Sequence, residues 1–502
     1  MINVLTYLED SAKKFPEKTA VIDPNTRLTY AQLSDRARRV GSALAGETEP
    51  GRPVAVWMEK SAAALSVLFG AVYAGCFYVY MNPNHPPRRM QQILQVAEAS
   101  VAVTDQPEQL RALGFAGKIL DYEKLLETPI QTEKLQSIRD RALDIDPLYC
   151  NFTSGSTGVP KGVLVGHRSV IDFMDCFPEL FGITQEDVIA NQAPFDFDVS
   201  VKDIYSAMKT GATLVLIPQR MFSVVTQLLD YLCDNQVTTL IWAVSALCLV
   251  AQFKGLTYKV PETVRKILFS GEMMPVKYLR QWQKSLPNTE FVNLYGPTEI
   301  TCNCTYYRVN REFADDAELP IGIPFPNEKV FLLDENNHLV EQPGQRGELC
   351  VSGTALAIGY YNNEEQTNRS FVQNPLNTRF PERIYRTGDL ARYNEAGELC
   401  FCGRTDFQIK HMGHRIELEE IEAVLNSLPE VERACCLYDS QRKRLIGFYS
   451  GDIAPRDLKK SLYEYVAAYM VPSVLHQVDS LPVTANGKID RKRLLETGED
   501  KK

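Results

Sequence analysis

Residues 153–162 form the segment whose composition is best suited to binding phosphate. Their sequence, Thr-Ser-Gly-Ser-Thr-Gly-Val-Pro-Lys-Gly, combines four hydroxyl side chains, three glycines and one lysine. Glycine lets backbone N–H groups approach an anion closely, and the hydroxyl and ammonium groups supply further donors. The P-loop motif is absent, because Pro160 precedes Lys161 and a glycine follows it. A flexible surface turn is the alternative, but a linker has no need of a Pro-Lys-Gly ending. The segment therefore predicts a polyphosphate-binding loop.

Four further motifs follow this loop along the chain. They are residues 293–299 (Asn-Leu-Tyr-Gly-Pro-Thr-Glu), 385–389 (Tyr-Arg-Thr-Gly-Asp), 403–410 (Gly-Arg-Thr-Asp-Phe-Gln-Ile-Lys) and 486–491 (Asn-Gly-Lys-Ile-Asp-Arg). Together with the loop, they resemble the signature motifs of the adenylate-forming enzymes. That superfamily contains acyl-CoA synthetases, luciferases and the adenylation domains of non-ribosomal peptide synthesis. Five matches in the family's order, spread over most of the chain, are far more specific than one.

The elements that position these motifs follow an α/β pattern. The chain has 502 residues, enough for two or three domains. Strand-like runs at 212–217 and 239–242 alternate with a helical run at 224–233, which predicts parallel strands covered by helices. From about residue 323 short strands separated by turns predict a β-rich subdomain that extends to residue 405. We therefore expect an α/β fold, with a large N-terminal adenylation core at 1–405 and a small α+β domain at 406–502.

The C-terminal segment is expected to begin with a helix at 416–425. Leu418, Ile421 and Leu425 recur at helical spacing, and the glutamates between them are expected to form a solvated face. The family resemblance implies that this small domain is a mobile lid, with its hinge at Asp406.

Composition excludes several classes of partner. The net charge of −9 and the pI near 5.4 argue against a nucleic-acid groove. Residues 61–81 are uncharged but change from Ala/Leu-rich to Tyr/Val-rich, which predicts a buried helix followed by a strand, not a membrane span. The N-terminus shows no export signal. Twelve cysteines without a C-x-x-C pair, and histidines without zinc-site spacing, indicate reduced thiols in a cytoplasmic protein that has no structural metal.

The resemblance implies which residues bind ATP and Mg²⁺. Glu299 is implied as the Mg²⁺ ligand, beside Thr298. Lys488 is implied as the catalytic lysine that bridges the substrate carboxylate and the α-phosphate, and Lys410 and Gly413 as residues that face the active site when the thiol attacks. The other residues implied for ATP are Thr153, Ser154, Ser156, Thr157 and Lys161 for the phosphates, and Asn293, Tyr295, Asp389 and Arg404 for the nucleoside.

Asp198 narrows the class of substrate. In amino-acid-activating members of the family the aspartate at this place pairs with the α-ammonium of the substrate, whereas fatty-acid and aryl-acid activators usually lack it. An ordinary loop acid is the other interpretation. The pocket implied by the resemblance is lined by Asp198, Val199, Lys202, Ser245, Leu268, Ser270, Leu294, Cys302 and Asn303.

Two substrates fit parts of this pocket. Residues 191–205 and 405–410 resemble D-alanine ligases that charge a carrier protein, although those enzymes have cysteine at the place of Ser270 and a small apolar residue at the place of Cys302. The residues that match serine-activating adenylation domains are Asp198, Val199, Leu268, Ser270 and Leu294. Lys202 is unusual, and its ammonium either extends to solvent or meets an acidic side chain.

The expected function is ATP-dependent activation of a small amino acid, D-alanine or serine, as the aminoacyl-AMP. The resemblance implies that the aminoacyl group is then transferred to the phosphopantetheine thiol of a carrier protein. This carrier is expected to be a separate protein, because no carrier attachment signature comes after Lys488. An acyl- or aryl-CoA ligase of the same superfamily, or cysteine or an acidic amino acid as substrate, are the alternatives. A Rossmann dehydrogenase and an α/β-hydrolase are excluded, because the chain contains neither G-x-G nor G-x-S-x-G.

Overall fold

The secondary structure comes from a computed structural model that describes residues 2–155, 159–315, 317–440, 442–482, 489–491 and 493–494. The α-helices of these residues are α1 (Leu5–Lys14), α2 (Tyr30–Leu44), α3 (Ala62–Tyr73), α4 (Pro87–Ala97), α5 (Pro107–Ala112), α6 (Tyr122–Leu125), α7 (Thr132–Arg139), α8 (His167–Leu180), α9 (Val199–Thr210), α10 (Val225–Asp234), α11 (Val244–Gln252), α12 (Gly255–Tyr258), α13 (Val276–Ser285), α14 (Glu364–Ser370), α15 (Leu418–Ser427) and α16 (Pro455–Leu462). Short 3-10 turns lie at Gln219–Ser223, Thr298–Ile300 and Ala468–Met470.

The strands complete the element order. They are β1 (Thr19–Ile22), β2 (Arg27–Thr29), β3 (Pro53–Trp57), β4 (Phe77–Met81), β5 (Val101–Thr104), β6 (Lys118–Asp121), β7 (Pro147–Thr153), β8 (Lys161–Gly166), β9 (Val188–Asn191), β10 (Thr213–Leu216), β11 (Thr239–Ala243), β12 (Lys266–Ser270), β13 (Glu290–Tyr295), β14 (Thr305–Arg308), β15 (Ile323–Pro324), β16 (Glu328–Leu333), β17 (Leu339–Val340), β18 (Arg346–Gly353), β19 (Gly359–Tyr360), β20 (Phe371–Gln373), β21 (Arg383–Tyr393), β22 (Leu399–Arg404), β23 (Gln408–His411), β24 (His414–Glu417), β25 (Val431–Asp439), β26 (Arg444–Gly451) and β27 (Val474–Gln477).

Two large sheets carry the helices. In the described residues, one sheet has nine strands in the order β15-β14-β13-β12-β11-β9-β10-β1-β2, and the other has seven in the order β19-β8-β7-β4-β3-β5-β6. The centre of the first is parallel from β13 to β1. Successive residues of its strands enter different hydrophobic cores: Leu268 packs in one core and Phe269 in the other. This alternation is that of a sheet covered on both faces.

A third sheet is antiparallel and lies in the β-rich segment. Its strands follow the order β17-β16-β18-β21-β20, and β22 pairs with β21. The described C-terminal residues add the hairpin β23–β24 and the sheet β25-β26-β27, against which α15 packs. The expectation of an α/β body, a β-rich subdomain and a small α+β domain is confirmed.

The chain divides into two compact units. One consists of Met1–Asn82, Ala97–Asn151 and Gly162–Thr405, and the other of Pro83–Val96, Phe152–Lys161 and Asp406–Lys502. Within the second unit Arg89 of α4 forms a buried ion pair with Glu420, with Nη1 3.0 Å from Oε1. The phosphate-loop segment and most of α4 thus group with the C-terminal segment. The boundary at Asp406 as a functional hinge stays a prediction.

Two details of the sequence-based assignment change. The C-terminal helix begins at Leu418, not Ile416, because Ile416 and Glu417 pair with Ile409 and Gln408 in the β23–β24 hairpin. The glutamates do not form one solvated face, since Glu417 and Glu420 are buried. Residues 61–81 form α3 and β4, as expected. No helix of the described residues is both long and apolar enough to cross a membrane.

Candidate active site

Asp198 lies at the start of α9, beside the carboxyl ends of the parallel strands β11, β12 and β13. Its side chain is half-buried, and its backbone carbonyl oxygen accepts a hydrogen bond from the Cys302 thiol, with Sγ 2.9 Å from the oxygen. Ligands of open α/β sheets bind at this edge. Register pairing places Ser270 of β12 between Ala243 and Leu294.

The other expected pocket residues lie at the same edge. Val199 follows Asp198, Leu268 is buried two residues before Ser270, and Ser245 comes two residues after β11. Hydrogen bonds and strand pairing connect the central set into a chain of neighbours, namely Asp198, Cys302, Asn303, Lys202, Ser270 and Leu294.

Lys202 does not reach solvent. Its side chain is fully buried, with Nζ 2.7 Å from Asn303 Oδ1 and 3.3 Å from Ser270 Oγ. Burial lowers the pKa of Lys202, although Cys302, Asp198 and Asp203 oppose this shift. The expectation that the ammonium could extend to solvent is therefore wrong, because β12 and the loop after β13 close over it.

A second lysine, the half-buried Lys60, holds the segment that leads to Asp198, and sequence analysis missed it. Lys60 Nζ donates to the carbonyl oxygens of Asn191, Gln192 and Ala193 at 3.0–3.3 Å. Burial lowers its pKa to about 7. Nearby, Asn191 Nδ2 donates to Asp203 Oδ2 at 2.6 Å, and burial raises the pKa of Asp203 to about 8.

The expected nucleoside residues also meet in the first unit. Asp389 is buried, and it accepts hydrogen bonds from the Tyr295 hydroxyl and from Arg404 Nη1. Burial and the neighbouring Asp389 hold the pKa of Tyr295 well above its usual value. Asn293 is on the same strand as Tyr295, and its Nδ2 donates to the Pro320 carbonyl at 2.8 Å. A carboxylate has lone pairs to spare, so Asp389 can accept further hydrogen bonds from ribose hydroxyls.

Glu299 lies in the turn after β13, next to Thr298. Its side chain is fully buried, and Oε1 accepts a hydrogen bond from the Tyr360 hydroxyl at 2.7 Å. Gly296 allows the turn to close, since a Cβ there would lie 2.4 Å from Asn303 Cα. Sequence analysis did not identify Tyr360, because it lies 61 residues from Glu299 outside the five motifs.

The described part of the phosphate loop lies in the second unit. Ser154 Oγ donates to the Arg415 carbonyl at 2.8 Å, and Lys161 Nζ is 3.4 Å from Glu417 Oε1. Thr153 Oγ1 is buried and has no hydrogen-bond partner within the described ranges. Gly155 is tightly enclosed, because a Cβ there would lie 2.0 Å from the Val159 carbonyl oxygen. Ser156 and Thr157 lie outside the described residues.

The β23–β24 hairpin carries two of the residues expected to act in the second half-reaction. Lys410 pairs with Arg415, and the two-residue turn Met412–Gly413 has positive φ at both positions, 54° and 81°. A type I′ turn requires this conformation. Asp406 lies just before the hairpin and accepts a hydrogen bond from the Gln408 backbone N–H at 3.2 Å. Lys488 lies outside the described residues.

Comparison with protein families decides the class of this chain. A sequence model described as AMP-binding enzyme matches residues 8–361. A second, described as AMP-binding enzyme C-terminal domain, matches residues 420–488. The chain belongs to the AMP-binding enzyme family. It is an adenylate-forming ligase of the AMP-forming class, which activates an acid substrate with ATP.

Individual relatives of this AMP-binding enzyme are bacterial synthases. It is 32% identical over 510 residues to zwittermicin A synthase ZmaJ of Bacillus cereus, covering 98% of this chain and 94% of that protein. It is 33% identical over 504 residues to surfactin synthase subunit 1 of Bacillus subtilis (strain 168), covering 98% of this chain. The chain spans only 14% of that surfactin synthase protein, and 13% of tyrocidine synthase 2 of Brevibacillus parabrevis.

Solved structures share the fold. PA1221, an NRPS protein containing adenylation and PCP domains, matches with a TM-score of 0.81 and 25% identity over 99% of this chain and 84% of that one. The adenylation domain AlmE of Vibrio cholerae matches with a TM-score of 0.83 and 23% identity, over 99% and 98% of the two chains.

The residues fit the MgATP that adenylate-forming enzymes typically use. Mg²⁺ bound with a nucleotide needs only one or two protein carboxylates, because phosphate oxygens and waters supply its other ligands. The buried Glu299 carboxylate fits this role. The Thr153 hydroxyl, unpartnered within the described ranges, and the lysine of the same loop are donors suited to phosphate oxygens.

Proposed function

We propose that this enzyme activates an amino acid with a small side chain, D-alanine or serine, as its aminoacyl adenylate and releases pyrophosphate. It then transfers the aminoacyl group to the phosphopantetheine thiol of a carrier protein. The observation that carries the proposal is the half-buried Asp198 carboxylate at the start of α9, above a cluster of buried pocket residues.

Asp198 suits the recognition of an amino acid. A carboxylate at the entrance of a pocket pairs with the α-ammonium of the substrate, and such a charge-assisted contact contributes about 1.5–3 kcal/mol. Fatty and aryl acids have no ammonium to offer it. The buried Leu268 and Leu294 leave only part of the lining polar, which favours a short side chain.

The chemistry of the first step requires the substrate carboxylate to attack the α-phosphorus while charge develops on the phosphate oxygens. Asp389 and Arg404 would position the ribose, and Glu299 would hold the Mg²⁺ of the nucleotide. The phosphate loop would bind the β- and γ-phosphates through Thr153, Ser154, Ser156, Thr157 and Lys161. Lys488 neutralises the reacting oxygens. A donor placed on developing charge contributes about 2.7–4 kcal/mol, or 10²–10³ in rate.

Carrier loading is supported by a relative of known structure. PA1221 contains a PCP domain beside its adenylation domain. By analogy, we place a phosphopantetheine thiol as the acceptor of the aminoacyl group. In this proposal the C-terminal domain, residues 406–502, turns about Asp406, so that Lys410 and Gly413 face the arriving thiol.

ATP–pyrophosphate exchange over a panel of acids tests the proposal. We expect exchange with small amino acids, strongest with alanine or serine of one configuration, and much weaker exchange with fatty and aryl acids. Equal or faster exchange with a fatty or aryl acid would contradict it and favour an acyl- or aryl-CoA ligase. A best rate with cysteine, aspartate or glutamate would keep the amino-acid class but overturn the choice of substrate.

A further inference from the structure

Three buried polar side chains meet one helical turn below Asp198. Lys202, Ser270 and Asn303 are 0%, 4% and 1% exposed. The Lys202 ammonium donates to Asn303 Oδ1 at 2.7 Å and to Ser270 Oγ at 3.3 Å. These three residues, called the polar wall below, join α9 to β12 and to the loop after β13.

The polar wall holds more donors than acceptors. An ammonium has three N–H groups, and that of Lys202 has two acceptors within the described ranges. In the same ranges the Ser270 hydroxyl hydrogen and the Asn303 Nδ2 group have no acceptor. The third N–H of the Lys202 ammonium is left for a ligand, so the wall is suited to one that brings a hydrogen-bond acceptor.

The geometry of α9 directs a substrate side chain toward this wall. Asp198 and Lys202 are four residues apart and therefore lie on the same face of the helix. Long helical side chains lean toward the N-terminus, so Lys202 extends in the direction of Asp198. Cys302, adjacent to Asn303, contacts the Asp198 carbonyl. An amino acid whose ammonium binds Asp198 thus places its Cβ substituent near the polar wall.

The balance of charge around the wall favours a neutral acceptor. Two lysines, Lys60 and Lys202, lie among three aspartates, namely Asp196, Asp198 and Asp203, which influence them electrostatically. Asp198 and Asp203 both lie close enough to Lys202 to oppose the lowering of its pKa, so acidic groups already face the ammonium of the wall. A carboxylate on the substrate side chain would leave an uncompensated buried charge, whereas a hydroxyl would not.

We propose that Lys202, Ser270 and Asn303 bind a hydroxyl group on the side chain of the substrate, so that the enzyme selects serine over alanine. This inference rests on the proposed activation of a small amino acid and decides between its two candidate substrates. The oxygen of the substrate hydroxyl accepts a hydrogen bond from the Lys202 ammonium. The hydroxyl hydrogen is then available for donation to Ser270 Oγ or Asn303 Oδ1.

Exchange kinetics of the intact enzyme test the selection. The values of kcat/KM are measured for both enantiomers of serine and alanine, and for L-aspartate. We expect one enantiomer of serine to exceed both alanines by about 10- to 100-fold, the value of a hydrogen bond to a charged group. Parity of serine and alanine, or a preference for aspartate, overturns this inference alone. Exchange driven only by fatty or aryl acids overturns the proposed function as well.

Substitutions identify the residues responsible. Lys202→Met keeps the length of the side chain but removes its donors, and should lower the serine-to-alanine ratio about 10- to 100-fold. Ser270→Ala should lower the serine-to-alanine ratio by a smaller factor, and this variant tests the inference if Lys202→Met does not fold. Lys209→Met, on α9 but paired with Asp175, is the matched control and should leave the ratio unchanged. An unaltered ratio in folded Lys202→Met protein with normal KM for ATP contradicts the inference.

Discussion

Replacing Asp198 with asparagine removes one negative charge from the entrance of the pocket. The Cys302 thiol contacts the backbone carbonyl of Asp198, not its carboxylate, so that contact survives the substitution. Asparagine is nearly isosteric with aspartate and adds no volume. We attribute the expected loss of binding to the weaker electrostatic attraction to the substrate ammonium, and the same substitution removes a charge that opposes the lowering of the Lys202 pKa.

The size of this loss follows from the exposure of the site. Two unit charges at 4 Å attract each other by about 1 kcal/mol in water and about 4 kcal/mol at an effective dielectric constant of 20. Asp198 is half-buried, so its contribution lies between these limits, in agreement with about 1.5–3 kcal/mol for a charge-assisted hydrogen bond. We expect the KM for the amino acid to rise about 10- to 100-fold in Asp198→Asn, while the KM for ATP changes little.

Steady-state pyrophosphate exchange measures both constants. Asp230→Asn, which removes a surface carboxylate paired with Lys259, is the matched control and should leave both unchanged. An Asp198→Asn enzyme that keeps the wild-type KM for its amino acid would refute the assignment of Asp198. An equal rise in both constants would instead indicate a general loss of structure.

Other substitutions separate further parts of the account. Lys488→Ala should lower pyrophosphate exchange by about 10²–10³ but spare transfer from a supplied adenylate. Gly413→Leu should spare exchange and lower transfer, and Gly413→Asn is its control because asparagine tolerates positive φ. Equal damage to both steps in both variants would contradict a swing about the hinge. Tyr360→Phe removes the donor to Glu299 and should raise the Mg²⁺ concentration for half-maximal exchange about 10- to 100-fold, so an unchanged Mg²⁺ dependence would disprove this role. Burial lowers the pKa of His167 from 6.5 to about 3. The unfolded state therefore binds more protons below pH 6.5, and the free energy of unfolding should fall toward pH 3 by up to about 1.4 kcal/mol per pH unit. His167→Gln should lose this part of the pH dependence in denaturant titrations, and a variant with the wild-type slope would show that another group is responsible.

The fold was predictable where local pattern alone decides the structure. Residues 239–242 are apolar and rich in strand-forming types, and β11 covers Thr239–Ala243. The start of α15 was less predictable, because Ile416 satisfies the helical spacing equally well. Its pairing with Ile409 across the hairpin decides for a strand, and no local pattern encodes that choice.

Some residues of the site could be predicted from the sequence, whereas the environment of others could not. Short motifs identified Asp389, Arg404 and Tyr295, which the structure brings together. The environment of Lys202 could not be derived from spacing, because its acceptor Asn303 lies 101 residues away. Lys60 contacts Asn191 over an even longer separation, 131 residues. Such contacts depend on how helices and loops meet at the sheet edge, and a single sequence does not specify this.

Direct detection of the adenylate tests the central claim most closely. The enzyme is incubated with MgATP and an equimolar mixture of serine, alanine, aspartate, benzoate and octanoate, and the nucleotide products are identified by mass spectrometry. We expect an aminoacyl-AMP, with the mass of the seryl adenylate as the main product. A benzoyl- or octanoyl-AMP as the main product, with no aminoacyl-AMP, would contradict amino-acid activation.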